Sequence, residues 1–425
     1  MRTTITATST ITGTMTTDPG AGASDATRPA AGVSRRRLLG SGAAGLALGA
    51  AGGIGVAAAI REDSPATVSL TVPFRGEHQA GVTTPPQDHG TFVAFDLRDG
   101  VDADALRRLF GIWTDDIDRL TQGEPGLTDT EPELARRPAR LTVTVAVGRR
   151  TVEVAGREAP DWLGPLPAFD IDRLEERWNG GDVLLQVCAD DPLTVAHAVR
   201  LLTKEARTFV EPRWVQHGFR GPSGEEKLPR NLMGQVDGTA NPLEREHDEL
   251  VWIGDASRAA FGAQPDWLEG GSTMVVRRIS MNLETWDELD RPGREAAIGR
   301  RLDDGRPLTG GELTDDPDLD AVDANGLSVI SSFAHVRRAR TEDRSQRFLR
   351  RPYNYDDPPP AGRLSDSGLV FVTFQADLEA QFLPIQRRLA ELDLLNEWTT
   401  PVGSAVLAVL PGVRPGGVLG EALLG

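Results

Sequence analysis

A chain of 425 residues, 39% hydrophobic and 26% charged, has the composition of a soluble globular protein and length for about two domains. Its net charge of −17 argues against nucleic acid or an anionic membrane surface as a partner. One cysteine excludes a disulfide scaffold, an iron–sulfur cluster and a cysteine-built zinc site, and the six histidines show no paired zinc-hydrolase spacing.

Residues 1–33 are rich in Thr, Ala, Gly and Ser without apolar periodicity and are predicted to be disordered. Ser34-Arg35-Arg36-Arg37-Leu38-Leu39 follows, then a weakly apolar run to Ile60 broken by seven glycines. This is the pattern of a twin-arginine export signal. Ala57-Ala58-Ala59 offers a cleavage site, so residues 1–59 read as a leader and the mature chain begins near Ile60. An uncleaved membrane anchor is the alternative, disfavoured because Gly and Ala insert less well than Leu and Phe. Substrates of this route cross already folded, which suits a protein that takes up a cofactor in the cytoplasm.

In the mature chain, alternation predicts strands at 68–72, 91–97 and 141–147, with a helix over 102–120 spaced by Leu106, Leu109, Phe110, Trp113 and Ile117. A nearly continuous apolar strand at 183–188 makes Cys188 a buried strand thiol. A capped helix follows from Pro192 to Phe209. A linker is predicted near 211–229, holding Gly218, Gly221 and Gly224. The second half repeats the plan: a strand at 273–279, a helix over 283–302, a charged loop at 303–325, an irregular stretch around His335, a strand at 369–374, a helix over 378–395 and a strand at 405–410. The fold class is α+β: two ferredoxin-like domains, 60–220 and 221–425, each an antiparallel sheet with peripheral helices.

Three segments carry chemistry. In Arg230-Asn231-Leu232-Met233-Gly234-Gln235-Val236-Asp237-Gly238-Thr239-Ala240-Asn241-Pro242, one carboxylate projects from a glycine-flanked loop. Such a loop approaches a flat ligand closely and leaves the acid free for proton transfer, although Asp-Gly alone is also an ordinary turn. His335, in Ser331-Ser332-Phe333-Ala334-His335-Val336-Arg337-Arg338-Ala339-Arg340, offers a neutral imidazole, a good iron ligand, beside an arginine cluster. In Phe348-Leu349-Arg350-Arg351-Pro352-Tyr353-Asn354-Tyr355, Arg350 or Arg351 provides a well-held cation to support negative charge beside Asp237.

The thirteen-residue block around Asp237 resembles the signature of the dye-decolorizing peroxidases, which are haem enzymes. The resemblance extends over nearly the whole mature chain, through Phe74-Arg75-Gly76-Glu77-His78-Gln79-Ala80-Gly81-Val82, Gly180-Gly181-Asp182 with the following strand, and Phe382-Leu383-Pro384-Ile385-Gln386-Arg387-Arg388-Leu389-Ala390 with Leu395-Asn396-Glu397-Trp398. With its leader, the chain is most similar to the exported deferrochelatase/peroxidase branch.

The resemblance implies one haem b per chain in the C-terminal domain. It places His335 as axial ligand, Asp237 as distal acid–base and Arg350 as distal arginine, with Gly238, Thr239 and Ala240 lining the haem and Arg337 and Arg340 near its propionates. The branch follows its proximal Ala-His-x-Arg with Ala-Asn-Pro-Arg, whereas Ala339-Arg340-Thr341-Glu342 stands here, so the propionate contacts are left open. Asp377 is the expected partner for the second ring nitrogen of His335. Trp398, Tyr353 and Tyr355 are candidates to relay electrons from donors too bulky for the pocket, with core packing as their ordinary alternative.

The implied reaction is hydrogen-peroxide-dependent oxidation of dyes, phenols or other small donors. The alternative is a deferrochelatase that takes haem as substrate and releases its iron from intact porphyrin; an exported solute-binding protein is the reading without chemistry. Expected partners are these small molecules, the twin-arginine translocase during export and a second copy in a homo-oligomer. The expected location is periplasmic, wall-associated or extracellular.

Overall fold

The computed structural model describes residues 70–221 and 229–425. The segment read as an export leader, Val68, Ser69 and Gly224 therefore lie outside the described residues. Two groups of four antiparallel strands organise the rest. The first contains β1 (His89–Leu97), β2 (Thr142–Val147), β3 (Val183–Ala189) and β4 (Val210–Phe219), in the order β4-β1-β3-β2. The second is built on β5 (Ser272–Met281), β7 (Tyr353–Asp357), β8 (Asp366–Gln375) and β9 (Thr399–Val409), in the order β7-β8-β5-β9, with the two-residue β6 (Leu349–Arg350) also paired to β8. Two narrow seams join the groups into a barrel-like ring: β2 meets β9 at Ala146↔Val409 and Val147↔Ala408, and β4 meets β7 at Phe219↔Asn354 alone.

The ring encloses a cluster that includes Phe92, Leu184, Cys188, Trp214, Met274, Tyr353, Tyr355, Phe374 and Leu407. On the outer face of the first group, the helices Ala103–Thr121 and Pro192–Ala206 cover Phe95, Val145 and Leu185 with Leu109, Trp113, Ile117 and Leu202. Phe382, Leu383 and Ile385 cover Val275 and Val406 of the second. Strands buried on both faces read as continuous apolar runs rather than alternating ones, which accounts for Val183–Ala189. Both helices of the first half begin on an aspartate cap: Asp102 accepts from the Ala105 N–H at 2.8 Å, and Asp191 from that of Leu193 at 3.4 Å.

Several boundaries differ from the sequence reading. Leu70–Val72 is not a strand; Leu70 O and Val72 O accept one hydrogen bond each, from the Arg140 N–H and the Gln122 side chain, with no ladder. The described part of the expected linker is largely β4, whose Val210, Trp214, Gln216 and Gly218 are buried. The helix expected over 283–302 is two, Leu283–Asp287 and Arg291–Ile298, because Pro292 cannot donate within a continuous helix and Asp290 caps a new start. The helix expected over 378–395 opens with a π turn, Leu378–Phe382, and its α-helical part ends at Leu392. His335 is not irregular but opens a short helix, His335–Ala339. Among the described residues no helix is long and apolar enough to cross a membrane.

One acid pair lies on the two helices that cover the first group. Asp116, 1% exposed, accepts from the Leu127 N–H at 2.7 Å, and beside it Glu205 accepts from Thr128 Oγ1 at 2.6 Å. Burial, then the hydrogen bond and negative charge of Asp116, push the Glu205 pKa up to about 7, against the opposing pull of Thr128 and Lys204. A carboxyl that holds its proton more tightly when folded stabilises the fold fully below about 4.5, its ordinary value, and that contribution is lost as pH rises through about 7. Glu205→Gln is therefore expected to raise the melting temperature by a few degrees at pH 8 and to leave it nearly unchanged at pH 5, measured by calorimetry. An equal shift at both pH values would show that the pair does not titrate in this window.

Candidate active site

His335 is held from behind. Its Nδ1–H donates to Asp393 Oδ2 at 2.6 Å, and Asp393, with only 4% of its side chain exposed, also caps the turn that follows by accepting from the Leu395 N–H at 3.0 Å. A carboxylate on Nδ1 fixes the tautomer and leaves the Nε2 lone pair free for a ligand. Burial pulls the His335 pKa down, but the charge and hydrogen bond of Asp393 more than reverse this and leave it above the ordinary value. Arg350 opposes and Asp237 reinforces that shift, so both charges lie near enough to the imidazole to be felt by it. A third of the His335 side chain is accessible despite this setting, as expected of a residue lining a gap.

The partner predicted for His335 is corrected. Asp377 instead caps the π turn, accepting from the Ala380 N–H at 2.7 Å and from Gln264 Nε2 at 3.1 Å. Both aspartates head a turn after a regular element, so they are locally alike; only the path of the helix Leu383–Leu392 brings Asp393 to the histidine. Two hydrogen bonds to backbone carbonyls hold that path: Leu394 N–H donates to Phe333 O at 2.9 Å, and the Arg338 side-chain Nε to Arg388 O at 3.2 Å.

Asp237 lies on the loop the sequence singled out. Gly238 takes φ +88°, in the left-handed region that favours glycine, and its N–H donates to Asp237 Oδ1 at 2.5 Å. Asp237 N–H donates to Pro229 O, and Arg230 O accepts from Asn354 Nδ2 at 3.0 Å, which ties the loop to β7. Gly238, Thr239 and Ala240 are half-buried. Arg350 Nη1 stands 3.5 Å from Asp237 Oδ1. Arg351, just past the end of β6, is turned elsewhere and donates to Thr84 O and Gln87 Oε1. The choice between the two arginines thus falls on Arg350.

Sequence reasoning missed Asn241, although it lies in the signature block. Its Oδ1 accepts from the Arg350 backbone N–H at 3.1 Å and from Nε at 3.4 Å, and its Nδ2 donates to Arg350 O at 2.9 Å. One amide thus clamps both the backbone and the side chain of the arginine. Its own carbonyl accepts from Arg347 Nη2 at 2.9 Å.

The expected propionate residues fare differently. Arg337 donates through Nε and Nη2 to Ile330 O and Leu319 O, which fastens it to the loop before His335. Arg340 pairs with Asp316, and its pKa is lowered by burial and by Arg347 and Arg344, which places it in a basic cluster. Of the relay candidates, Tyr353 and Tyr355 are fully buried in the ring. Trp398 is half-buried and packs edge-on against Trp286 at 5.1 Å, and Trp286 Nε1 donates to Met233 O at 3.2 Å, on the loop of Asp237.

These residues fit a planar, anionic, iron-bearing group: a free imidazole nitrogen with a carboxylate behind it, a glycine loop that permits close approach, and arginines around the gap.

The comparisons with known proteins agree. The family model described as Dyp-type peroxidase, N-terminal, matches residues 79–220, and its C-terminal counterpart matches 228–414. The chain is 38% identical to the dye-decolorizing peroxidase of Thermobifida fusca, over 81% of this chain and 83% of that one. It is 36% identical to the deferrochelatase of Escherichia coli, over 92% of this chain and 97% of that one. Among solved structures, the DyP-type peroxidase of Cellulomonas bogoriensis superposes with a TM-score of 0.80 at 56% identity, covering 83% of this chain and 98% of that one. Ferric DtpA of Streptomyces lividans gives 0.78 at 37% identity, covering 83% and 97%. Matched along most of its length by both halves of one family, the chain belongs to the Dyp-type peroxidases and is a haem-dependent enzyme.

Proposed function

We propose that this chain binds one haem b between His335 and Asp237 and uses it to reduce hydrogen peroxide while oxidising dyes, phenols or other small donors. The observation that carries the reading is the pairing of His335 with Asp393 and of Asp237 with Arg350 around a shared space. Bound haem would supply an iron able to exchange electrons with peroxide. His335 Nε2 would hold that iron, and Asp393 would raise its donor strength through Nδ1. Asp237 moves a proton from one peroxide oxygen to the other. Arg350, clamped by Asn241, stabilises the negative charge that develops as the O–O bond breaks. Two electrons, taken singly from donors, and two protons complete the conversion of peroxide to water.

The strand orders β4-β1-β3-β2 and β7-β8-β5-β9 support reading the chain as two ferredoxin-like domains, 60–220 and 221–425, with the haem residues in the second. The leader supports export by the twin-arginine translocase to a periplasmic, wall-associated or extracellular location. A homo-oligomer belongs to the same reading. A second activity, removal of iron from haem with the porphyrin left intact, is favoured by the 36% identity to the deferrochelatase over 92% of this chain. Protoporphyrin recovered after incubation with haem supports it; degraded or unchanged haem alone rejects it.

Asp237→Asn is expected to retain haem and to slow the peroxide step by about 10²–10⁴-fold in stopped-flow absorption, and Arg350→Leu to slow it as well. Asn241→Ala, which leaves Arg350 present but unheld, is expected to cost about tenfold. Wild-type rates in all three would remove this side of the gap from the chemistry. His335→Ala is expected to lose most of its haem during purification, and an unchanged ligation spectrum in that variant rejects the axial assignment. Trp398→Phe is expected to slow oxidation of bulky dyes several-fold and to leave small donors unaffected; an equal effect on both classes would argue against a surface relay.

A further inference from the structure

Arg300 is a buried cation without a counter-charge. It is 6% exposed and donates only to backbone carbonyls: Nη1 to Gly305 O and Leu313 O, each at 2.9 Å, and Nη2 to Asp315 O at 3.3 Å. A guanidinium carries five N–H groups, so the Nε–H and one Nη2–H have no protein acceptor among the described residues. Its pKa is pulled down to about 10, first by burial and then by the positive charges of Arg340 and Arg350. A buried charge set among like charges is costly unless an opposite charge arrives.

Its place in the fold says where that charge would come from. Arg300 follows Gly299, the left-handed cap, φ +90°, of the helix Arg291–Ile298. A Cβ added at Gly299 would stand 2.4 Å from Val336 Cγ1 and 3.6 Å from Ala334 Cβ, the residues on either side of His335. At the other end, the Gly305 carbonyl is held by Arg300, and a Cβ added at Gly305 would stand 2.9 Å from Val236 Cβ, the residue before Asp237. Arg300 thus bridges backbone beside His335 and backbone beside Asp237. A flat ligand between those two side chains turns its faces to them and its rim to Arg300.

Resting on the haem reading above, we propose that Arg300 receives a carboxylate at the rim of the porphyrin, through its two uncommitted N–H groups. Arg337, expected in that role, is half-buried and fastened to carbonyls through Nε and Nη2, and Arg351, also without an anion among the described residues, donates to Thr84 O and Gln87 Oε1; Arg300 is the buried guanidinium that joins backbone beside both His335 and Asp237. An arginine that served only to tie residues 305–315 in place would be indifferent to the carboxylates of the ligand, and this separates the two roles.

The test titrates the full chain, stripped of haem, with haemin and with haemin dimethyl ester, and follows the Soret band. Wild type is expected to bind the free acid at least about tenfold more tightly than the diester. Arg300→Gln, which keeps donors for the carbonyls but drops the charge, is expected to lose most of that preference while binding the diester as wild type does. Should Arg300→Gln fail to fold, Arg300→Met takes its place and the wild-type comparison stands alone if needed. Equal wild-type affinity for the two forms, or an undiminished preference in the variant, overturns the proposal. Failure of wild type to take up either form overturns the haem reading itself.

Discussion

The hydrogen bond between His335 and Asp393 ties together segments 58 residues apart, and the site depends on it. Asp393 is almost wholly buried, so its charge is tolerated only because the imidazole N–H and the Leu395 N–H both satisfy it. Removing either member of a buried pair typically costs about 3–5 kcal/mol, because the survivor is left desolvated and alone. The coupling to function follows directly. With Nδ1 committed, the imidazole has one orientation and one free nitrogen, set at the start of a helix that is itself fastened to the helix Leu383–Leu392 by Arg338 and Arg388.

The other side of the gap is built by different means. No buried ion pair of comparable closeness holds Asp237 and Arg350, which stand 3.5 Å apart and are both partly accessible. Their placement is a backbone matter: a left-handed glycine shapes the acid's loop, and the amide of Asn241 clamps the arginine through three hydrogen bonds. A rigid, desolvated pair suits a ligand that must keep one geometry. A looser, solvated pair suits groups that pass a proton and then recover.

Much of this was legible beforehand, and the failures have physical causes. Strands such as Val183–Ala189 and Ser272–Met281 are buried on both faces, so their apolar runs stand out. β4 did not, because its interior position 216 is a glutamine, buried to 2% and satisfied by Arg278 Nε at 2.7 Å; apolar alternation cannot register a polar residue paired inside a barrel. Asp237, His335 and Arg350 sit in distinctive local sequence, and the structure brings them to one region. Asp393 and Arg300 do not announce themselves, since their meaning comes from segments far away in the chain. Gly299, the left-handed cap of Arg291–Ile298, was a readable stop signal that the helix expected through 302 ran past.

The unequal seams of the ring have a mechanical consequence. β5 is zipped to its neighbours by ladders of ten and nine residue pairs, whereas β4 and β7 share one. Strain on such a hoop concentrates at its thinnest stave, so amide protons near Phe219 and Asn354 exchange with solvent sooner than those of β5. Asn354 is also the residue whose side chain grips Arg230 at the root of the Asp237 loop. The loop of the acid is therefore fastened at the seam with the fewest strand pairs, whereas His335 is fastened elsewhere, to Asp393.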